Sequence, residues 1–290
     1  MITIRSFSEC TWEQTLQLWN ESFSDYFVNM NFTFDQLLYK MATEKISPAH
    51  SLVAWANDQP VGFVLTAIGD VNGKKVAWNG GTAILPGWRR RGIGSRLMAA
   101  LIEFYQKEHV RQATLEAFAQ NKSAIQLYQQ HGYEIAGYLL IYQTDKIKRI
   151  PKEVPGFKIR SDHPASVASF SFYPQIAPWQ THWFLGDEAF IIFDSAGKET
   201  GYALVKRNTD KQGQVQALSL LQLEVDPAHP DADGMTHQLL QYVITSFPEA
   251  SRYRFLYCPP QKKAVTNWLE KAGFQIFANN VHMVKKITAD

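Results

Sequence analysis

One succession of signals occurs twice in this chain, and it limits the fold more than any other feature. A strand-like run stops at a proline, an amphipathic segment follows, then a β-rich run, then a short helical segment closed by glycine and an aromatic residue. In the first half the landmarks are Ile84-Leu85-Pro86 and His131-Gly132-Tyr133-Glu134-Ile135. In the second they are Val225-Asp226-Pro227 and Ala272-Gly273-Phe274-Gln275-Ile276. Proline removes a ladder donor and halts a strand; glycine past the last turn lets a helix end in a left-handed residue. Two similar units therefore account for 290 residues better than one large domain. The expected division is 1–145, a connector over 146–156, and 157–290. The connector carries Lys146, Lys148, Arg149 and Lys152 beside Pro151 and Pro155, a solvated charge run.

Periodicity fills in each unit. Apolar positions at Trp12, Leu16, Trp19 and Phe23 predict a helix over 12–23, and a second helix is expected over 34–41. Strands are expected over 51–55, 61–67 and 75–85, with a turn at 57–60. Leu97, Leu101, Phe104 and Tyr105 share one face of a helix over 94–108. A strand over 112–118, a helix capped by Asn121 and running through Gln130, and a strand over 133–142 complete the first unit. The second repeats the layout, with strands over 188–194, 200–206, 216–225, 253–258 and 281–284 and helices over 235–247 and 263–271. The fold class is α/β (α+β), each unit a mixed, mostly antiparallel sheet flanked by helices.

Composition excludes several functions. With 29 basic and 27 acidic residues the net charge is +2, which argues against a general nucleic-acid binder. No secretory signal is expected from the first residues, and the uncharged stretch 163–186 is broken by Pro164, Pro174 and Pro178, unlike a membrane span. Cys10 and Cys258 form no disulfide framework and read as inert thiols. A cytoplasmic location, no metal, no nucleic-acid partner and no membrane partner are expected.

The chemistry concentrates in Ile84-Leu85-Pro86-Gly87-Trp88-Arg89-Arg90-Arg91-Gly92-Ile93-Gly94-Ser95. A strand ends there, a turn with glycine and arginine follows, and a helix begins. A helix N-terminus leaves N–H groups unpaired and carries partial positive charge. Gly92 and Gly94 would let a phosphate approach those groups, so a diphosphate is the natural guest. The P-loop pattern Gly-x4-Gly-Lys-Ser/Thr is missing, and the glycines do not form Gly-x-Gly-x-x-Gly.

The run Arg89-Arg90-Arg91-Gly92-Ile93-Gly94 resembles the acyl-CoA-binding core of the GNAT family of N-acetyltransferases, Gln/Arg-x-x-Gly-x-Gly/Ala. A second element, Asn121-Lys122-Ser123-Ala124-Ile125-Gln126-Leu127-Tyr128 followed by Gly132-Tyr133, resembles the family's Asn-x-x-Ala-Ile/Ala-x-Leu-Tyr-x-x-x-Gly-Phe/Tyr. The likeness covers about residues 1–143 well and the second half by layout alone. It implies acetyl-CoA as cosubstrate and an enzyme that passes an acetyl group to a primary amine by direct attack. It implies a cofactor-binding set of Ile84, Leu85, Arg89, Arg90, Arg91, Gly92, Ile93, Gly94, Ser95, Asn121, Ser123 and Tyr128. Tyr128 would protonate the leaving thiolate, and a backbone N–H near Ile84 would polarise the thioester carbonyl. The general base is left open among Glu116, Glu21, Asp25 and a chain of waters. Arg90 stands where the family more often has glycine, so its side chain is expected to face solvent. Trp19, Phe23, Tyr26, Phe27, Phe32 and Phe34 are either core or the wall of an acceptor pocket.

The second half departs from the pattern. Its loop, Pro227-Ala228-His229-Pro230-Asp231-Ala232-Asp233-Gly234-Met235, has no arginine and two aspartates. Leu269 stands opposite Tyr128 and Lys262 opposite Asn121, so the second half reads as a degenerate copy. It would wall off the acceptor site or form a homodimer contact, with the aromatic stretch 170–183 as the place for it. The acceptor is an amine on a small molecule, which is favoured, or on a peptide. The alternative function is a non-catalytic acyl-CoA-binding regulatory module.

Overall fold

Two threonines start the first two helices. Thr11 and Thr33 each accept the N–H of the residue three along, Gln14 and Gln36, whose side chains reach back to the cap. These reciprocal capping boxes fix α1 (Trp12–Ser22) and α2 (Phe34–Thr43), after a first strand, β1 (Ile2–Ser6). In a computed structural model of the chain the described residues are 1–288, apart from Asn72, Arg149, 151–155 and Gln175. Most of the expected connector thus lies outside the described residues.

The chain divides into two compact units, one of residues 1–136 and 282–290, the other of residues 137–281. In the first, β2 (Leu52–Ala56), β3 (Gln59–Val71) and β4 (Lys74–Ile84) form an antiparallel run with β1. The helix α3 (Ile93–Lys107) returns the chain so that β5 (Gln112–Phe118) pairs parallel with β4. Then comes α4 (Lys122–Gln130), capped by the Asn121 side chain as its sequence predicts. Ile93, Leu97, Met98, Leu101 and Tyr105 form the buried stripe of α3, and each such side chain stabilises the unit by roughly 1.5–3 kcal/mol. The Tyr105 hydroxyl is satisfied in that core by Thr66, 2.6 Å away.

The strand after α4 is β6 (Glu134–Thr144). From Leu140 to Thr144 it pairs with β11 (Arg252–Cys258) of the second unit. The place beyond β5 in the first unit is taken by residues 282–286 of the last strand, β12 (Gln275–Lys286). The two repeats thus exchange their final strands. Only residues 281–284 are legible as strand in the sequence, because Asn279 and Asn280 break the apolar pattern before them.

The second unit orders β7 (Lys158–Asp162), β8 (Glu188–Phe193), β9 (Glu199–Thr209), β10 (Val215–Val225), β11 and β6 across its sheet. Its helices are α5 (Ala232–Ser246) and α6 (Lys263–Ala272). Helix α5 begins three residues before the expected position, because Asp231 caps it. Of the expected contact stretch 170–183, Phe170 and Phe172 stack on Tyr202, Tyr173 and Trp179 are buried, and Ile176 is exposed.

Candidate active site

In the first unit β4 and β5 pair only from Val76–Gln112 to Asn79–Leu115, although both strands continue. Beyond that point they diverge into a fork. A register shift against β3 between Leu65 and Thr66 marks the same level, and Asn79 holds the bulge by accepting Gly81 N–H at 3.1 Å. Leu85 N–H goes to Val61 O on the β3 side, 2.9 Å. Successive N–H groups of a strand face opposite edges, so that of Ile84 faces the fork.

Helix α3 starts behind the fork. Its N-cap, Gly92, has φ 74°, with nothing near the position a Cβ would take and no side-chain cap. The first intrahelical bond is Arg96 N–H to Gly92 O, leaving the N–H groups of Ile93, Gly94 and Ser95 ahead of it. Gly94 plays a different part from Gly92: a Cβ there would press on Leu127 of α4 at 3.2 Å, so its smallness sets how close the two helices lie.

The three arginines differ. Arg90 has φ 60°, a left-handed residue at the position where glycine is usual in the resembling family. Arg91 lies over the Trp88 ring at 4.9 Å. Arg89 reaches away, donating to Asp25, to Ser22 O at 2.9 Å and to Ile84 O at 3.1 Å. Asp25 is therefore paired with Arg89, which holds its carboxyl below the usual range. Glu21 accepts from Gln17 at 2.7 Å and borders a polar cleft with Gln14, Asp58 and Leu85.

Helix α4 supplies the opposite side. Asn121 uses its amide oxygen as the cap for Ala124 N–H and for the Ser123 hydroxyl, and its amide nitrogen faces the Tyr26 hydroxyl at 3.5 Å. Tyr128 is buried. Burial pushes its phenol up to about 12, an effect the Thr82 hydroxyl of β4 partly offsets. Ser95 bonds His131 at 2.9 Å. Burial, helped by the charge of Lys285, lowers the His131 pKa.

The aromatic segment 23–32 arches from α1 to the end of β5. Asn20 clamps it through Phe32 N–H and O, and Trp19 donates to Met30 O at 2.8 Å. Trp19 stacks on Phe32 and Phe63, a core role, whereas Tyr26 and Phe27 lie edge-on to Phe118. Phe34, at the start of α2, packs against Trp12 near the surface. Trp19 and Phe32 thus serve the core, while Tyr26 and Phe27 pack at the end of β5.

One cluster on this face escaped the sequence reading in part. Glu116, one residue past the last β4–β5 pair, accepts Trp78 Nε1–H at 2.8 Å on one oxygen and lies 2.8 Å from His282 Nδ1 on the other. Lys40, paired with Glu44, sits over the Trp78 ring at 5.6 Å. Glu116 and His282 side chains are 4% and 5% exposed. His282 belongs to the exchanged strand. Its signal was an imidazole inside the apolar run Val281-His282-Met283-Val284, which requires a buried partner.

The second unit keeps the fork and fills it. β10 and β11 pair only from Ala217–Arg252 to Leu220–Phe255. Lys262 Nζ donates to Leu223 O at 3.1 Å and to Glu224. At α5 the Asp231 carboxylate accepts Gly234 N–H at 3.1 Å. Among the described residues no group of three or more His, Cys, Asp or Glu is placed to hold a metal, and no helix is long and apolar enough to cross a membrane.

Residues 9–133 match the sequence model of the Acetyltransferase (GNAT) family. The match lies within the first unit, and the two units together have a tandem GNAT-like fold. A tandem GNAT protein from the clavulanic acid biosynthesis pathway aligns over 100% of this chain and 99% of its own, at 16% identity and TM-score 0.62. A GCN5-related N-acetyltransferase from Sphaerobacter thermophilus aligns over 99% and 96%, at 13% identity and TM-score 0.69. One from Anabaena variabilis aligns over 99% and 73%, at 13% identity and TM-score 0.60. At these identities the likeness is one of fold. Among curated proteins none matches this chain.

Proposed function

We propose that this protein is an N-acetyltransferase that moves an acetyl group from acetyl-CoA to a primary amine, with the chemistry in the first unit. The observation that carries the reading is an α3 N-terminus without a side-chain cap, set behind a strand fork that Tyr128 flanks. The N–H groups of Ile93, Gly94 and Ser95 with the charges of Arg90 and Arg91 bind the diphosphate. Asn121 and Ser123 border the path of the pantetheine arm. Arg89, through Asp25 and Ser22, ties the aromatic segment to the diphosphate loop. Leu85 N–H is engaged, so the fork-facing Ile84 N–H is the donor that polarises the thioester carbonyl.

The amine attacks the carbonyl carbon, and Tyr128 gives its proton to the departing sulfur. A phenol raised by burial stays protonated at neutral pH, as an acid must. Tyr26, Phe27 and Phe118 line the acceptor side, which suits a small amine with apolar surface. We include a cytoplasmic location and no membrane partner in the reading.

Release of CoA thiol from acetyl-CoA, measured with spermidine, glucosamine, lysine and phenylethylamine, tests it. Turnover with at least one amine, reduced by Tyr128→Phe without loss of acetyl-CoA affinity in calorimetry, supports the enzyme. Tight binding with no turnover on any of them assigns a regulatory acyl-CoA-binding module instead.

A further inference from the structure

Resting on that acetyl-transfer reading, we infer that His282 is the group that takes the proton from the acceptor amine, with Glu116 as the residue that positions it. An alkylamine is largely protonated at neutral pH and cannot attack until it loses a proton. Of the carboxylates expected near the fork, Asp25 is bonded to Arg89 through both oxygens and Glu21 accepts from Gln17 on one. Glu116 has both oxygens engaged.

A hydrogen bond to an ionised carboxylate places the imidazole proton on the nitrogen that faces it. An indole N–H is a donor only, so Glu116 Oε2 is an acceptor toward Trp78. With the carboxylate ionised, His282 Nδ1 donates to Oε1, and the lone pair is left on Nε2. That Nε2 is buried and has no hydrogen-bond partner. A buried polar atom without a partner destabilises the fold, and here it leaves an acceptor lone pair unused. A carboxylate behind an imidazole orients the ring and stabilises the imidazolium once it forms.

Placement agrees. Glu116 is the first residue of β5 beyond its pairing with β4, so the pair stands at the base of the fork, on the face that the aromatic segment covers. Glu116 on β5 is the ionisable group bonded to it; Lys40 of α2, paired with Glu44, lies over the Trp78 ring that Glu116 also bonds, and Lys285 and Lys286 follow on its own strand. The comparison between repeats is independent support. At the spacing that superposes Gly132 on Gly273 and Pro86 on Pro227, the counterparts of Glu116 and His282 are Tyr257 and Ile141. The half that lost the glycine loop and the tyrosine has also lost this pair.

The protons balance as follows. The ammonium gives one proton to Nε2 of His282. The freed amine forms the N–C bond, and the C–S bond breaks as Tyr128 protonates the sulfur. The nitrogen's second proton restores the phenol, and the imidazolium releases its proton to solvent. The products are the amide, CoA thiol and one proton.

His282→Asn is the informative variant, because its amide nitrogen replaces Nδ1 as donor to Glu116 and leaves nothing at the Nε2 position. On the best amine of the panel above, His282→Asn is expected to lower kcat roughly 10²- to 10³-fold and to remove the acid-side limb of the kcat/KM profile. Acetyl-CoA affinity is expected to be unchanged. Glu116→Gln, which drives the ring toward the other tautomer, should lower kcat as well, and Glu116→Asp should restore part of it. In ¹⁵N-labelled wild-type protein the His282 imidazole should show a protonated Nδ1 and a bare Nε2 whose signal moves when acetyl-CoA is added. A protonated Nε2 in the neutral ring, or His282→Asn with wild-type kcat and pH profile, overturns the assignment. Failure of the wild type to transfer acetyl to any amine overturns the acetyl-transfer reading, and His282 as base falls with it.

Discussion

Helices α3 and α5 occupy the same place in the two repeats, each starting a few residues after a strand that ends at proline. They begin in opposite ways. Helix α3 starts at a left-handed glycine, with no side chain on its leading N–H groups and arginines beside it. Helix α5 starts at Asp231, whose carboxylate already holds Gly234 N–H, with Asp233 in its first turn. An uncapped start keeps its donors for an anion from outside; a start capped by its own carboxylate has met that need internally. The forks differ likewise. Asn121 caps α4 and leaves the first fork to other groups, whereas the ammonium of Lys262 bonds the Leu223 carbonyl in the second. The scaffold of proline stop, fork and helix persists in both because the parallel strand pair needs it. On the proposed reading, the difference in acetyl-CoA binding rests on a handful of side chains at two helix starts.

That contrast can be broken by experiment. Tyr128→Phe should lower kcat by roughly 10²- to 10⁴-fold in steady-state assays, while Leu269→Tyr in the second unit should add no activity. Gly92→Val, which forces a β-branched residue into a left-handed backbone at the proposed diphosphate site, should weaken acetyl-CoA binding by about 100-fold or more. Calorimetry on the wild type should give one acetyl-CoA per chain, and a stoichiometry of two would refute the contrast. Lys262→Ala should cost about 1–2 kcal/mol in urea unfolding, because Leu223 O loses its donor, without creating a second binding site.

The smallest expected effect is electrostatic. Arg89 holds the Asp25 carboxyl below its ordinary range. The pair therefore stabilises the fold above the ordinary carboxylate range, and this is lost as pH falls through the depressed value. Melting curves of Asp25→Asn and wild type should differ by about 0.5 kcal/mol or less at pH 7 and low salt, and converge toward pH 2.

Much of the site was readable because its elements are governed by local rules. Pro86 ends β4, Gly92 permits the turn into α3, and Asn121 caps α4; each acts on its own neighbours in sequence. Three features were not readable. The division of labour between Gly92 and Gly94 depends on Leu127, more than thirty positions away. The turning of Arg89 toward Asp25 depends on a loop between helices whose path no periodicity encodes. His282 lies 166 positions from Glu116, and strand pairing between distant segments leaves no local trace. The alternation of β12 was further hidden by its asparagines, which is why only residues 281–284 stood out as strand.

The exchange of final strands also has a consequence for synthesis. Residues 282–286 complete the sheet of the first unit, although they are made after almost all of the second. A ribosome that has released the first 136 residues has released a unit still missing a strand and open at the edge of β5. An unpaired strand edge invites mispairing. A nascent chain stalled after residue 160 should therefore resist proteases poorly, and protection of the N-terminal half should rise sharply only once residue 286 has emerged. A cut in the 146–156 segment would likewise yield two fragments that recover structure together and not apart.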